Sequence, residues 1–394
     1  MKTSTLCVHH PAGNDPHGAV APPIYQTATF RQPTATEFGE YDYTRTANPT
    51  RTLLEGQLAA LEGGRFAAAY ASGLAALTAL TRLVGQGEEI VAGDDLYGGT
   101  VRLLEQVLPR YGVAVRYADA SDPDSVRREL TPRTRLILVE TPTNPLLRVA
   151  DVRALAGLAR EAGALLAVDN SMLSPCLQKP LKLGADVVLH SATKFLGGHS
   201  DVTAGALVTD DEELHRRLSF QQNAEGSGLS PFESWLLLRG IKTLSLRVER
   251  QCSTALRVAE FLAARTEVGR VYYPGLEGHA GRDVHRRQAR GDGAVLSFTT
   301  GDAEFSRRLV EAVRLFDIAV SFGSVHSSIS LPCHMSHASI PPSARARLAP
   351  PPDLVRVSVG IEDAEDLLAD FEQAFDVARH EEVKSQPPLA YAGV

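Results

Sequence analysis

The sequence HSATKFLGGHSDV, residues 190–202, follows the apolar run DVVL and holds one lysine among glycines and small hydroxyl residues. A lysine with a purely structural role favours a solvated helix face, because its ammonium group is strongly hydrated. Lys194 instead follows a run that predicts a buried strand. Ligands of α/β proteins bind where the chain leaves such strands. Lys194 is therefore the first candidate for a residue with a chemical role.

Short apolar runs alternate with helical patterns on both sides of this segment. Seven runs predict strands: FAAAYAS (66–72), EEIVAG (88–93), VAVRYAD (113–119), TRLILVE (134–140), ALLAVDN (164–170), DVVLHSA (186–192) and AGALVTD (204–210). The intervening helices include GLAALTALTRLV (73–84), GGTVRLLEQVLPRYG (98–112) and DVRALAGLAREAG (151–163). Unbroken apolar strands that alternate with helices predict an α/β fold, with a mainly parallel sheet covered on both faces.

The segments outside this block predict two further units. Residues 1–50 have little periodicity and are interpreted as an extended arm. The segment TRTLLEGQLAALEGG (50–64) predicts a helix with Thr50 as its N-cap. This helix opens a large domain at 51–235. A long helical segment with a junction at Gly240 leads into a smaller α+β domain at 236–394. That domain includes GAVLSFTT (293–300), LVRVSVGI (354–361) and a loose tail, KSQPPLAYAGV (384–394).

Composition and the absence of long apolar runs disfavour several classes of protein. The 394 residues are 44% hydrophobic and 22% charged, with a net charge of −7, which disfavours a general nucleic-acid or membrane-surface binder. The four cysteines are scattered and form no CxxC pair, which favours a reducing compartment. The first residues lack an apolar signal-peptide region, and no apolar run reaches the roughly 18 residues of a membrane span. A cytoplasmic protein is predicted.

Polar residues follow several of the predicted strands. The turn Ser72-Gly73-Leu74 enters a helix N-terminus, which suits a phosphate. The other strands are followed by Tyr97, Asn144, Asp169, Ser191, Thr193 and Lys194. Because the carboxyl ends of parallel strands meet at one edge of a sheet, we expect these side chains to converge.

This set matches what pyridoxal phosphate requires. Lys194 would form the Schiff base, Asp169 would hold the proton of the ring nitrogen, and Tyr97 would stack on the ring. The main alternative from the residues alone is a nicotinamide-dependent dehydrogenase on a similar sheet, although no GxGxxG follows a strand. His334 and His337 of CHMSH lack a third ligand and an HExxH acid, so no metal site is predicted.

Several motifs carry a resemblance to a known family: YDYTRTANPT (41–50), ASGLAAL (71–77), DDLYGGT (94–100), ETPTNP (140–145), VDNSMLSP (168–175), LGADVVLHSATKFLGGHSDVTAG (183–205) and LVRVSVGIED (354–363). In this order they resemble the Cys/Met-metabolism family of pyridoxal-phosphate enzymes, from about residue 5 to 378. The resemblance implies the aspartate-aminotransferase-like fold (fold type I), with a seven-stranded, mainly parallel sheet and pyridoxal 5'-phosphate as cofactor.

The resemblance also assigns a role to the N-terminal arm. Tyr43 and Arg45 match a pair that reaches into the neighbouring subunit of the family's enzymes and holds its cofactor phosphate. The resemblance therefore implies a homo-oligomer with active sites shared between subunits. The implied assembly is a tetramer made of two dimers.

Substrate-binding residues are likewise implied by the resemblance. Arg356 matches the arginine that binds the α-carboxylate of the substrate, a task that suits a planar guanidinium. Asn144 matches a residue near the 3′ oxygen of the cofactor, and Ser321 a serine near the lysine and the substrate carboxylate. Arg102 matches a position that contacts the distal part of the substrate in several members.

Local features favour one member of the family, cystathionine β-lyase. Gly99 occupies a position at which methionine γ-lyases share a cysteine. Val320 occupies a position at which cystathionine γ-synthases and γ-lyases typically carry glutamate. Residues 222–244 and 320–345, with Ser171, look most like the plant-type β-lyases. Cystathionine γ-lyase, methionine γ-lyase and cystathionine γ-synthase remain alternatives, as does a cofactor-binding relative with little lyase activity.

Overall fold

The computed structural model describes residues 1–9, 15, 17–338 and 348–380. The predicted tail at 384–394 and residues 339–347 of the loop that resembles β-lyases lie outside the described residues. Within the described ranges, the chain forms one sheet of seven strands and one of five. None of the helices in these ranges combines the length and the apolar character that a membrane span requires.

The larger sheet has the strand order β1-β7-β6-β5-β4-β2-β3. All neighbouring pairs from β6 to β3 are parallel, whereas β7 runs antiparallel to both β6 and β1. The prediction of an α/β fold with seven mainly parallel strands is confirmed. The strands are β1 (Phe66–Tyr70), β2 (Glu89–Gly93), β3 (Ala114–Ala118), β4 (Thr134–Glu140), β5 (Leu165–Asp169), β6 (Val187–Ser191) and β7 (Gly205–Thr209).

Helices cover both faces of this sheet, because alternate residues of each strand point to opposite sides. On β6, Val187 and Leu189 belong to a core shared with α3 and α8, whereas Val188 belongs to the core that contains α2. Helix α6 covers the second face further along the sheet. The helices around the sheet are α2 (Pro49–Glu62), α3 (Gly73–Thr81), α4 (Gly98–Arg102), α5 (Pro123–Glu129), α6 (Val152–Ala162), α7 (Ser174–Leu177) and α8 (Glu212–Ala224).

The predicted N-cap of α2 is wrong by two residues. Asn48 caps the helix, and its side chain accepts a hydrogen bond of 3.0 Å from the backbone N–H of Thr50. Pro49 occupies the first helical turn, where its missing N–H costs no hydrogen bond. The predicted end of the helix is confirmed, since Gly63 adopts the left-handed conformation with φ = 81°.

The segment predicted as one helix at 98–112 is instead three short pieces. After α4 the chain forms a π-helical turn at Leu103–Val107 and a 3₁₀ turn at Leu108–Tyr111. Pro109 explains the break, because its ring lacks an N–H and clashes with the preceding turn of an α-helix. What matters for function is that α4 places Tyr97, just before its first residue, at the edge of the sheet.

The N-terminal arm differs in part from the extended segment that was predicted. Residues Thr3–Val8 form a helix, α1, which buries Cys7 in the core of its own chain. Further along, the backbone carbonyl of Pro22 accepts a 2.9 Å hydrogen bond from the indole of Trp235. Val20 and Phe38 of the arm are 98% and 72% exposed in the single chain.

The second sheet has the order β10-β11-β12-β9-β8 and packs against α10, α12 and α13. The predicted domain boundary at residue 236 falls inside α9, which packs against α2, so the domain limits stay a prediction. The elements of this part are α9 (Pro231–Ile241), α10 (Leu244–Ala263), β8 (Arg270–Tyr272), α11 (Arg282–Gln288), β9 (Val295–Thr299), α12 (Ala303–Ala312), β10 (Asp317–Ile318), β11 (Ser328–Ser330), β12 (Leu354–Ser358) and α13 (Ala364–Arg379).

Gly240 lies one residue before the end of α9, close to the predicted junction. A Cβ atom at this position would come within 2.3 Å of the carbonyl oxygen of Gly197, in the loop that follows Lys194. The glycine thus lets α9 approach the backbone that carries the lysine.

Gly240→Ala should destabilise the protein by about 1–3 kcal/mol, because the added methyl group meets backbone atoms that cannot rotate away. Gly157→Ala is the matched control, since a Cβ there meets no atom within 4 Å. It should be neutral or stabilising by up to about 1 kcal/mol. Urea unfolding midpoints measure both effects, and equal midpoints for the two variants would contradict the close approach of α9 to this loop.

Candidate active site

A cavity of about 440 Å³ lies at the carboxyl ends of β4, β5 and β6. Its far wall comes from residues 320–322 and 335–336 and from β12, so that both sheets contribute to it. Thirteen of the predicted site residues line this cavity: Ser72, Gly73, Leu74, Tyr97, Arg102, Asn144, Asp169, Ser191, Thr193, Lys194, Val320, Ser321 and Arg356. The expected convergence at one edge of the sheet therefore occurs.

Lys194 follows β6 and projects its amine into the cavity. Its Nζ donates a 2.6 Å hydrogen bond to Oγ of Ser321 and lies 4.9 Å from the ring centroid of Phe322. Burial, together with the positive charge of Arg356, lowers the pKa of Lys194 to about 8, from an ordinary value of 10.5. A substantial fraction of this amine is therefore neutral, and hence nucleophilic and basic, at mildly alkaline pH.

Asp169 is the last residue of β5, on the strand next to the one that leads to Lys194. Its Oδ1 accepts a 2.8 Å hydrogen bond from the backbone N–H of Ser171. Burial raises the pKa of Asp169 above its ordinary value, and the Ser171 hydrogen bonds and nearby positive charge offset this only in part. A buried carboxylate at this position suits a protonated ring nitrogen.

Arg356 lies on β12, with 2% of its surface exposed, and its charge faces neutral partners. Its Nη1 donates to Oδ1 of Asn144 at 3.1 Å, and its Nη2 donates to the carbonyl oxygen of Ser321 at 2.6 Å. Burial lowers the pKa of Arg356 to about 10. A buried guanidinium whose partners carry no negative charge favours the arrival of a carboxylate.

Ser321 links the lysine to the arginine. Its hydroxyl accepts the hydrogen bond from Lys194, and its carbonyl accepts the one from Arg356. The residue adopts φ = 88°, a backbone region that L-residues other than glycine rarely occupy. Backbone strain of this kind clusters at functional sites, and here it allows one residue to face both cations.

The N-terminus of α3 also lines the cavity. Ser72 caps the helix by accepting a 3.0 Å hydrogen bond from the N–H of Ala75. The first N–H groups of a helix have no acceptor within the helix, which leaves those of Gly73 and Leu74 for a ligand. A Cβ at Gly73 would come within 2.9 Å of the side chain of Ser191. The glycine therefore keeps open a pocket of N–H and hydroxyl donors suited to an anion.

Tyr97 covers the cavity from the side of α4. It is 39% exposed, and its ring lies so close to Gly99 that a Cβ there would come within 2.4 Å of the ring. Its backbone N–H donates a 2.9 Å hydrogen bond to Oε1 of Glu140. The position of the ring therefore depends on the missing side chain of Gly99 and on the carboxyl group of Glu140.

Glu140 and Ser171 are two polar residues among the ten that line the cavity without having been predicted as site residues. Glu140 ends β4 in the same way that Asp169 ends β5, so the same signal, a carboxylate that closes an apolar run, could have identified it. Ser171 also lines the cavity, and its hydroxyl accepts a 2.6 Å hydrogen bond from the backbone N–H of Ser191. Ser171 belongs to the motif VDNSMLSP (168–175), but its contact with the backbone of Ser191 joins two loops and is not visible in a sequence.

Tyr43 and Arg45 are not among the residues that line the cavity of their own chain. The guanidinium of Arg45 lies over the ring of Tyr43, 5.3 Å from its centroid, and its Nε donates to Oδ1 of Asn223 at 3.2 Å. The structure thus separates this pair from the other thirteen predicted residues. The role assigned to them in a neighbouring subunit stays a prediction.

Comparison with known proteins agrees with this geometry. The sequence profile of the Cys/Met metabolism PLP-dependent enzymes matches residues 4–376. The chloroplastic cystathionine beta-lyase of Arabidopsis thaliana is 52% identical over 372 residues, which are 94% of this chain and 80% of the plant protein. The cystathionine gamma-lyase of Bacillus subtilis is 47% identical over 377 residues, 95% of this chain and 100% of the relative.

A solved structure gives the same result at the level of the fold. The cystathionine gamma-lyase from Lactobacillus plantarum, complexed with L-serine, superposes with a TM-score of 0.94 and 40% identity. The superposition covers 96% of this chain and 100% of that one. These matches extend over both sheets and therefore over the whole cavity.

The chain belongs to the Cys/Met-metabolism family of pyridoxal-phosphate-dependent enzymes. It is a transsulfuration enzyme, since the named relatives act in that chemistry as β-lyases and γ-lyases at similar identities. The alternative of a nicotinamide-dependent dehydrogenase on a similar sheet is thereby excluded. The plant relative is chloroplastic, so the predicted cytoplasmic location stays a prediction.

The cavity fits pyridoxal phosphate by the chemistry of its donors. Its lining includes an amine of lowered pKa, Lys194, a buried carboxylate, Asp169, and the open N–H groups beside Gly73. Tyr97 adds an aromatic face to the same lining. Within the described ranges, no group of three or more acidic, histidine or cysteine side chains is arranged to hold a metal ion.

Proposed function

We propose that this enzyme is a cystathionine β-lyase, which cleaves cystathionine, with uptake of one water molecule, to homocysteine, pyruvate and ammonia. The observation that carries the proposal is Val320, an apolar side chain on the cavity wall beside Ser321 and Lys194. Elimination at Cβ breaks the bond between Cβ and sulfur. It needs one base, which removes the proton from Cα, and one acid, which protonates the departing sulfur atom. Elimination at Cγ needs a further proton removed from Cβ, and valine cannot assist that step.

Bound in the cavity, pyridoxal phosphate supplies an electron sink for the bond that breaks at Cα of the amino acid. Arg356 binds the α-carboxylate of the substrate through its planar pair of N–H donors and orients Cα toward Lys194. Asp169 would hold the proton on the ring nitrogen by charge. Tyr97 would cover the ring and limit access of water from the side of α4.

Lys194 moves the protons in this proposal. In its neutral form, which the lowered pKa favours, the amine takes the proton from Cα. The resulting ammonium, or the Tyr97 hydroxyl, delivers a proton to the departing sulfur atom. Arg102, an exposed cation at the open end of the cavity, offers a site for the distal carboxylate of the substrate.

Product analysis tests the choice between β- and γ-elimination. With cystathionine as substrate, the wild-type enzyme should release pyruvate and homocysteine in excess over 2-oxobutyrate and cysteine. Val320 is 57% exposed, so a polar replacement should fold. Val320→Glu should raise the share of 2-oxobutyrate by adding a base, and Val320→Gln, the neutral control, should not. Predominant 2-oxobutyrate from the wild-type enzyme would instead favour the γ-lyase, the second candidate, which the Bacillus relative represents.

We further propose a homodimer as the minimal active unit, with two dimers forming a tetramer. In support, Tyr43 and Arg45 lie outside the cavity of their own chain, and the arm exposes Val20 and Phe38. Burial of such apolar side chains across a two-fold interface would offset the conformational entropy lost when the arm is ordered.

Subunit mixing tests the shared site. Lys194→Ala and Arg45→Ala proteins should each be inactive alone. In a mixed dimer one site collects both defects and the other collects neither, so activity should return to a measurable fraction of wild type. The control is a mixture of Lys194→Ala with Asp169→Ala protein, which restores no site because both residues line the same cavity. If mass spectrometry confirms mixed dimers and no activity returns, Arg45 does not act in the neighbouring subunit.

A further inference from the structure

Glu140 occupies a position that the proposed mechanism does not use. It is the last residue of β4 and stands directly opposite Asp169 on β5 in the register of the sheet. The residue is only 7% exposed and lines the same cavity. Two carboxyl groups therefore lie side by side at the edge where the cofactor ring is proposed to bind.

The hydrogen bond of Glu140 joins its strand to a separate loop. Its Oε1 accepts the 2.9 Å hydrogen bond from the N–H of Tyr97, in the loop after β2. The backbone of Asn144, in the loop after β4, acts on the same carboxyl group and favours its charged form. No side chain caps α4 at Tyr97. Glu140 thereby supplies the acceptor that fixes the backbone from which the Tyr97 ring projects.

The surroundings of Glu140 disfavour a negative charge on it. The charged groups that act on it most strongly are themselves carboxyls, Asp169 on β5 and Asp95 in the loop after β2. Burial and these two neighbours raise the pKa of Glu140 well above its ordinary value. Two adjacent buried carboxyl groups disfavour each other's negative charge, which favours a proton on one of them. Asp169, which receives the Ser171 hydrogen bonds and lies near Lys194, is the better placed to remain the anion.

We propose that Glu140 is a positioning residue, which fixes the Tyr97 wall of the cavity by hydrogen bonding and acts as an uncharged group. This inference rests on the proposed placement of the cofactor ring between Tyr97 and Asp169. A neutral carboxyl group still presents a carbonyl oxygen to the Tyr97 N–H and leaves Asp169 as the one anion at this edge.

The test compares Glu140→Gln with Glu140→Ala in the holoenzyme. Glutamine keeps an uncharged acceptor of the same length, so kcat/KM for cystathionine should stay within about threefold of wild type, whereas alanine should lower it roughly tenfold to hundredfold. The pH midpoint of the visible absorption of the bound cofactor should be the same in the glutamine variant and in wild type. The circular dichroism of that band, which reports how the ring is held, should weaken in the alanine variant alone.

A double-mutant cycle tests whether Glu140 acts through Tyr97. Glu140→Ala should have less than about a threefold effect on kcat/KM in the Tyr97→Ala background, because the wall that it positions is already lost. Glu89→Gln is the matched control. Glu89 is also a buried glutamate of a neighbouring strand, but it lies at the opposite end of the sheet and pairs with Arg116 and Arg133. Its replacement should change neither the absorption midpoint nor the dichroism.

Several results would overturn the inference. A downward shift of the absorption midpoint in Glu140→Gln would mean that the residue acts as an anion, because removal of a negative charge destabilises a nearby protonated group. Additive effects in the double-mutant cycle would mean that Glu140 does not act through Tyr97. If Glu140→Ala fails to fold, Glu140→Asp replaces it, since the shorter acid should lose the Tyr97 contact and show the weakened dichroism. A dichroism like that of wild type in the aspartate variant would also overturn the inference.

Lys194→Ala separates this inference from the proposed function. That variant should lose the visible cofactor band, and retention of the band would overturn the placement of the cofactor itself. Loss of the band in Lys194→Ala, combined with wild-type behaviour of Glu140→Ala, would overturn the role of Glu140 alone.

Discussion

The active site depends on one unfavourable burial, that of the Lys194 amine beside the Arg356 guanidinium. Two buried cations destabilise each other, and only the lysine can relieve this repulsion by losing its proton, because arginine keeps its own. The lysine therefore loses its proton more readily, and its pKa falls to about 8. Ser321 accepts hydrogen bonds from both groups and so keeps them at a fixed separation.

The fold creates this burial by bringing two sheets together. Lys194 follows β6 of the larger sheet, whereas Arg356 lies on β12 of the smaller one. Close backbone approaches make the meeting possible: a Cβ at Gly323, next to the Ser321 loop, would come within 2.7 Å of the backbone nitrogen of Phe195. The packing of the two sheets, in addition to the local sequence around the lysine, thus sets the electrostatics of the amine.

The larger sheet and the polar residues at its strand ends could be predicted from the sequence. Buried parallel strands are apolar runs, and the residues that follow such strands meet at one edge of the sheet. Lys194 and Asp169 could be predicted for this reason. Arg356 and Ser321 were identified only through the family resemblance. Both lie more than 100 residues after Lys194 in the chain, and their contacts near the lysine are not visible in a sequence. The true cap of α2 and the broken helix at 98–111 were missed because Pro49 and Pro109 override the apolar pattern.

The central claim is that burial and Arg356 prepare Lys194 as a base, and a direct titration of its amine tests it. NMR of cofactor-free protein carrying ¹³C-enriched lysine, with the resonance assigned by its absence in Lys194→Ala, measures that pKa. We predict a midpoint of about 8 in the wild-type protein and a higher midpoint in Arg356→Ala, where one positive charge is removed. A midpoint near the ordinary value of 10.5, unchanged by Arg356→Ala, would contradict this account.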